Sequence, residues 1–247
     1  MSSGPVRAAV PRALRGTAAV VLDTDGVITD SARVHAVAWK AAFDAHLRVR
    51  QVHQRPFDAH DDYLRYVDGK SRLDGARAFL ESRNLDPAED DVRAVAAHKE
   101  QLFTERLRRH GIDAYPGTVR LLRVLRSAGI PRAAASASRH APELLDHAGV
   151  RDLFDTLVDG AEAARLHLPG KPEPALFLEA ARRLGVPAAR TAVVEDALAG
   201  VEAGRRGGFG LVVGVDRADT PQTRAALLEH GADLVVNDLG DLLASED

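Results

Sequence analysis

The sequence predicts an α/β protein: a Rossmann-like, doubly wound parallel sheet core with a helical cap domain inserted after the first strand. Three observations predict it. Short, continuous apolar runs recur along the chain, helical patterns separate most of them, and one long stretch carries helices alone. Residues 18–22 read AAVVL, the pattern of a strand buried on both faces of a parallel sheet. Similar runs occupy 132–135, 191–194, 211–215 and 232–236. Between them, 117–128 places Leu121, Leu122 and Leu125 at helical spacing, and 174–184 does so with Leu176, Phe177, Ala180, Ala181 and Leu184. Alternation of strand and helix argues for a doubly wound sheet.

From residue 31 to 109 the patterns are helical only, at 34–47, 73–83 and 89–109, with the turn sequence Asn84-Leu85-Asp86-Pro87 before the last. An insertion of this length directly after the first strand suggests a cap over the ligand edge of the sheet. Tyr115-Pro116-Gly117 marks the return to the core. The expected layout is a loose N-terminal tail at 1–16, a core at 17–30 and 115–247, and a cap at 31–114.

Composition narrows the function classes. The 247 residues are 45% hydrophobic and 28% charged, with a formal net charge of −3, so no basic surface steers the chain toward nucleic acid or an anionic membrane. There is no cysteine, which excludes disulfides, thiolate catalysis and cysteine-based zinc sites. No run of 18 apolar residues exists to span a bilayer. The expected address is cytoplasmic, and the oligomeric state is open, a monomer included.

Four polar positions stand at or near strand ends. The first strand runs into Asp23-Thr24-Asp25-Gly26. Residues two apart on an extended chain point the same way, so Asp23 and Asp25 can face one site beyond the carboxyl end. Alone, this is also an ordinary polar turn. A second acidic pair, Glu195-Asp196, follows the run 191–194. Two such pairs make an all-oxygen site for a hard cation, and magnesium is the expected one; either residue is equally suited to capping the next helix. Ser136 ends another apolar run and offers a hydroxyl to a phosphoryl oxygen or to a helix N-terminus. Lys171, between Gly170 and Pro172, offers a fixed positive charge, or is a surface lysine on a turn.

In this order and spacing, the set resembles the four motifs of the haloacid dehalogenase superfamily. DTDGVITD at 23–30 and EDALAGVEAG at 195–204 look like the first and fourth motifs of its β-phosphoglucomutase branch. The resemblance implies that Asp23 attacks phosphorus and becomes an aspartyl-phosphate, and that Asp25 is the general acid/base. It implies that Asp23, the backbone carbonyl of Asp25, and Asp196, with Glu195 assisting, hold Mg2+. Ser136, the backbone of Ala137 and Lys171 are then the phosphate-binding groups. Within 68–72, Arg72 matches an arginine that grips the non-reacting phosphate of a sugar bisphosphate, and Ser138 and Arg139 match the core side of that subsite. His35 and Lys99 match a pair that links cap closure to the acid/base, and Ser31 matches a hinge residue. Glu100 and His140 depart from the family pattern, each standing where asparagine is common. The polar segment 51–62 has no reading.

The implied activity is a β-phosphoglucomutase-type conversion of β-glucose 1-phosphate to glucose 6-phosphate through a bisphosphate, with a phosphorylated sugar as the sole implied partner. A magnesium-dependent sugar-phosphate phosphatase on the same scaffold needs none of the cap groups. A non-catalytic module would have no use for the complete motif set.

Overall fold

The computed structural model describes residues 10–50, 54–85 and 87–244. Six parallel strands form one sheet: β1 (Ala19–Asp23), β2 (Arg132–Ala135), β3 (Thr156–Val158), β4 (Thr191–Glu195), β5 (Leu211–Val215) and β6 (Leu234–Val236), in the order β3-β2-β1-β4-β5-β6. The order reverses beside β1, so the carboxyl ends of β1, β2 and β4 frame the crevice where such sheets bind ligands. The strands alternate between two cores. Val20 and Leu22 of β1 pack with Leu121, Leu122 and Leu125 of α4 (Pro116–Ser127), while Val21 packs on the other face with Leu176 and Phe177 of α7 (Ala175–Leu184). Burial on both faces is why these strands read as unbroken apolar runs.

Three longer helices follow β1: α1 (Ala32–Val49), α2 (Arg72–Ser82) and α3 (Glu89–His110). They enclose a hydrophobic cluster of their own, in which the Phe43 ring lies 4.2 Å from that of Phe79 and 4.9 Å from that of Phe57. Phe57 explains part of the polar segment 51–62. It anchors that segment in the helical core, and Asp62 is held by Arg55 and Arg83 and accepts from the Asp58 N–H. Gln51 to His53 lie outside the described residues, as does Asp86 of the expected turn. The two chain crossings run side by side: Thr29 pairs with Ala114 in an antiparallel bridge, and the Arg217 guanidinium sits 3.6 Å over the Tyr115 ring while donating to the Gly26 carbonyl at 2.8 Å.

Residues 1–9 of the expected tail lie outside the described residues. The described part is a correction to that expectation. Arg12–Leu14 forms a 3-10 turn, and Leu14 is fully buried in the core beside β1 because it is the apolar residue the turn directs inward. β3 is an element the apolar runs did not announce. Its three residues pair with β2 at the sheet edge. Among the described residues, no helix is long and apolar enough to cross a membrane.

Candidate active site

A cavity of about 290 Å³ opens where the carboxyl ends of β1, β2 and β4 face the helical unit. Its walls include Asp23, Asp25, Lys171 and Asp196 from the sheet side, His35, Arg72, Lys99 and Glu100 from the helices, and Ala137, Ser138, Arg139 and His140 after β2. Ser136 and Glu195 are fully buried just behind this wall. All the residues singled out from sequence therefore converge on one place.

At the base, the Asp25 N–H donates to Asp23 Oδ2 at 2.9 Å, and Lys171 Nζ donates to both Asp23 Oδ1 and Glu195 Oε1. Glu195 is fully occupied, since its other oxygen accepts from the Ala197 N–H at 2.7 Å. It thus tethers the lysine and fixes the turn at Ala197 that leads into α8 (Leu198–Arg206), whose N-terminus carries no side-chain cap; the capping alternative is not what the structure shows. Asp196 lies against Gly26, which has φ of +79°. A Cβ there would meet Asp196 Oδ2 at 1.7 Å, so the turn tolerates glycine alone.

Oxygens of Asp23, Glu195 and Asp196 lie within 4.8 Å of one another. Burial, together with the neighbouring carboxylates, raises both Asp23 and Asp196 well above the usual carboxylate range, even though Lys171 pulls the other way. Burial would lower Lys171, but Asp23 and Glu195 outweigh it and keep the ammonium charged. The base of the cavity is therefore short of positive charge. An all-oxygen, negatively charged cluster of this kind fits a hard divalent cation.

Asp25 has the opposite character. Burial would raise it, but His35, Ser31 and Lys99 together hold it well below the usual range. The Ser31 hydroxyl donates to Asp25 Oδ1, and Ser136 Oγ lies 3.5 Å from Asp25 Oδ2. His35 Nε2 stands 3.3 Å from Asp25 Oδ1, and Lys99 Nζ donates to His35 Nδ1 at 2.7 Å. Burial, with Lys99 alongside, lowers His35, so the neutral ring accepts at Nδ1 and carries its proton on Nε2, which stands near Asp25 but outside hydrogen-bonding geometry. Burial lowers Lys99 to about 8. An ionised carboxylate in this setting can accept a proton from a hydroxyl brought against it.

The loop after β2 makes a small polar nest. The Ser138 N–H donates to Ser136 Oγ at 3.1 Å, and the His140 N–H donates to Ser138 Oγ at 3.2 Å. Arg139 is exposed at the cavity wall. Arg72, at the start of α2, pairs with Glu100. Trp39 lines the cavity while remaining part of the helical core.

Two site residues escaped the sequence reading. Asp68 lines the cavity, and burial, with Glu195 and Asp25 nearby, pushes it up to about 7. Tyr63 also lines the cavity and lies close to Asp68, whose charge adds to burial in raising the phenol. Both come from the π-helical turn Tyr63–Val67 and its exit, where no apolar period marks a site. The only signal was Asp68's place in the loop that carries Arg72.

Comparison with known proteins adds three findings. The model of the haloacid dehalogenase-like hydrolase family matches residues 17–208. The chain is 41% identical over 238 residues to a β-phosphoglucomutase of Mycobacterium bovis and 33% identical over 232 residues to one of Bacillus subtilis, with 91% of each chain covered in both cases. The crystal structure of a β-phosphoglucomutase from Clostridium difficile superposes with a TM-score of 0.73 at 27% identity, covering 92% of this chain and 93% of that one.

Proposed function

The chain belongs to the haloacid dehalogenase-like hydrolase family, and we propose that within it the protein is a phosphosugar mutase interconverting β-glucose 1-phosphate and glucose 6-phosphate. The observation that carries this reading is that three helix-borne cations or polar groups, Arg72, His35 and Lys99, share one cavity with Asp23 and Asp25. Hydrolysis of a phosphate monoester needs none of the three. A mutase needs them to hold a second phosphate and to position the acid/base.

In this reading Asp23 is the nucleophile and is phosphorylated at the start of the cycle. β-Glucose 1-phosphate binds with its phosphate toward Arg72, Ser138 and Arg139 and its 6-hydroxyl toward Asp25. Asp25, ionised in the free protein, takes the hydroxyl proton as the oxygen attacks phosphorus and the bond to Asp23 breaks. The bisphosphate then binds with its ends exchanged. Asp23 attacks the 1-phosphate, and Asp25 returns the proton to the leaving oxygen, giving glucose 6-phosphate. Lys171, Ser136 and the backbone of Ala137 take the charge of the transferring group. His35 and Lys99, through the 3.3 Å and 2.7 Å contacts, orient Asp25. Asp23, the Asp25 carbonyl and Asp196 would hold magnesium, which supplies positive charge against the phosphoryl oxygens. Glu195 acts mainly through Lys171. The helical unit 31–114 serves as the cap, and a cytoplasmic address suits a phosphosugar substrate.

A paired assay tests the reading. Wild type is given β-glucose 1-phosphate, magnesium and trace bisphosphate, and glucose 6-phosphate and free phosphate are followed together. Arg72→Ala is expected to cut mutase turnover by tens to thousands of times, about 2–5 kcal/mol for a charge-assisted contact, while hydrolysis of acetyl phosphate changes much less. Release of free phosphate without glucose 6-phosphate would make the enzyme a sugar-phosphate phosphatase instead.

A further inference from the structure

Two residues that depart from the family pattern, Glu100 and His140, meet each other. Glu100 Oε2 pairs with Arg72 Nη1, and Glu100 Oε1 is 2.5 Å from His140 Nε2. Arg72 and Glu100 belong to the helical unit and His140 to the core, so one carboxylate clasps both sides of the cavity. His140 is flanked again by Glu143, at 3.3 Å from Nδ1. Hydrogen bonding to Glu100 raises His140, with burial opposing and Glu143 adding to the effect. His140 and Arg72, against the burial penalty, bring Glu100 down to about 2. Lys99 adds a positive charge beside Glu100, and the neutral His35 lies next to it. Arg72 is not saturated by this contact, because its buried Nε has no partner.

We propose that Glu100 is a gate on the distal anion subsite. In the ligand-free protein it occupies Arg72, and a ligand's second phosphate enters by taking Arg72 from it, leaving Glu100 on His140. The inference rests on the mutase reading, which supplies the second phosphate. A guanidinium left without an anion in a closed, partly buried site is unfavourable, and Glu100 relieves that cost. A phosphate dianion outcompetes a carboxylate for the guanidinium fork by charge and by its additional acceptor oxygens. A neutral hydroxyl does not. His140 gives the displaced carboxylate a second partner, so opening the gate strands no buried charge. The gate therefore yields to a ligand that brings a phosphate to Arg72, β-glucose 1-phosphate and the bisphosphate alike, and stays on Arg72 in the absence of one.

The test is calorimetric titration of β-glucose 1,6-bisphosphate in the full-length chain carrying Asp23→Asn, so that the ligand survives. Adding Glu100→Gln removes the competitor and should tighten binding about fivefold, the scale of a partly exposed ion pair. Adding His140→Asn instead removes the second partner and should weaken binding by a similar factor. In an Arg72→Ala background the gain from Glu100→Gln should vanish. Glu100→Asn carries the same expectation should the glutamine variant not fold. Weaker or unchanged binding in Glu100→Gln overturns the gate and leaves the mutase reading standing. Binding to Glu100→Gln but not to the Glu100 protein would mean a gate that this ligand cannot open, and the mutase reading would fall. No binding to either would sink both.

Discussion

Asp23 and Asp25 are two residues apart, yet burial is answered differently at each. Around Asp25 stand Ser31, His35 and Lys99, and the carboxylate is ionised; around Asp23 stand Glu195 and Asp25 as well as Lys171, and its charge is under-compensated. That asymmetry divides the work between a proton acceptor and a nucleophile that relies on added positive charge. Asp23→Asn keeps the shape and the Lys171 contact but cannot attack phosphorus, so turnover should vanish while the thermal transition stays within a few degrees. Substantial activity in the purified variant would remove Asp23 from its role. Lys99 gives a residue-scale prediction with a sign. Its ammonium falls from an ordinary 10.5 to about 8, chiefly through burial. The unfolded chain thus binds more protons between these values, so stability rises with pH across that window, and below it the charged lysine costs stability. At about 1.4 kcal/mol per unit, the ceiling on that cost is on the order of 3 kcal/mol. Lys99→Met should therefore melt no lower than wild type at pH 7, with any gain shrinking from pH 8 to 10.5, while mutase turnover collapses. A melting-temperature series against pH checks it, and a variant clearly less stable at pH 7 would show that the His35 contact outweighs the buried charge.

At the scale of elements, the loop between the π-helical turn and α2 is one place where the helical unit touches the core. Gly69 has φ of +69°, and a Cβ there would lie 2.9 Å from Ala197 Cβ, beside Asp196. Gly69→Ala adds left-handed strain of roughly 1–2 kcal/mol and pushes the loop off the core. Mutase kcat/KM should fall at least tenfold while the melting temperature drops only a few degrees; a full-rate variant would mean the loop need not approach so closely. The elements differ in how legible they were from sequence. β1, β2, β4 and β5 were visible because burial on both faces forces unbroken apolar runs, and α1, α3, α4 and α7 because one buried face imposes a helical period. β3 has three residues, too few to carry a pattern. Leu14 stood alone among arginines, so nothing marked it as core. The motif residues were readable because strand ends place them. Asp68, Tyr63 and the Glu100–His140 contact were not, since each depends on how the inserted helices sit over the sheet, which no local spacing encodes.

On the scale of the whole molecule, the sheet and the inserted helices enclose a base that carries more negative charge than its own lysine answers. Three carboxylates, Asp23, Glu195 and Asp196, share Lys171, and Glu195 is already used by it and by the Ala197 N–H. Asp23 and Asp196, with pKa values raised chiefly by burial, are the groups a cation would relieve. Magnesium should then bind the folded chain and not the unfolded one, so it must raise the melting temperature. At a hundred times its dissociation constant the gain is about 2.7 kcal/mol, or several degrees for a chain of this size. The sign with pH follows from linkage. Cation and proton compete for Asp23 and Asp196, so the cation-bound fold has depressed carboxylate pKa values. Its stabilisation is present at neutral pH and is lost as pH falls. Scanning fluorimetry with magnesium or with EDTA at pH 5, 6, 7 and 8 should show a shift that grows steadily with pH, and EDTA should abolish turnover throughout. Asp196→Asn should erase the magnesium shift and, by removing one buried repulsive charge, melt at or above the wild-type protein in EDTA. A shift that persists in Asp196→Asn, or that grows toward acid pH, would place the cation elsewhere than on these carboxylates.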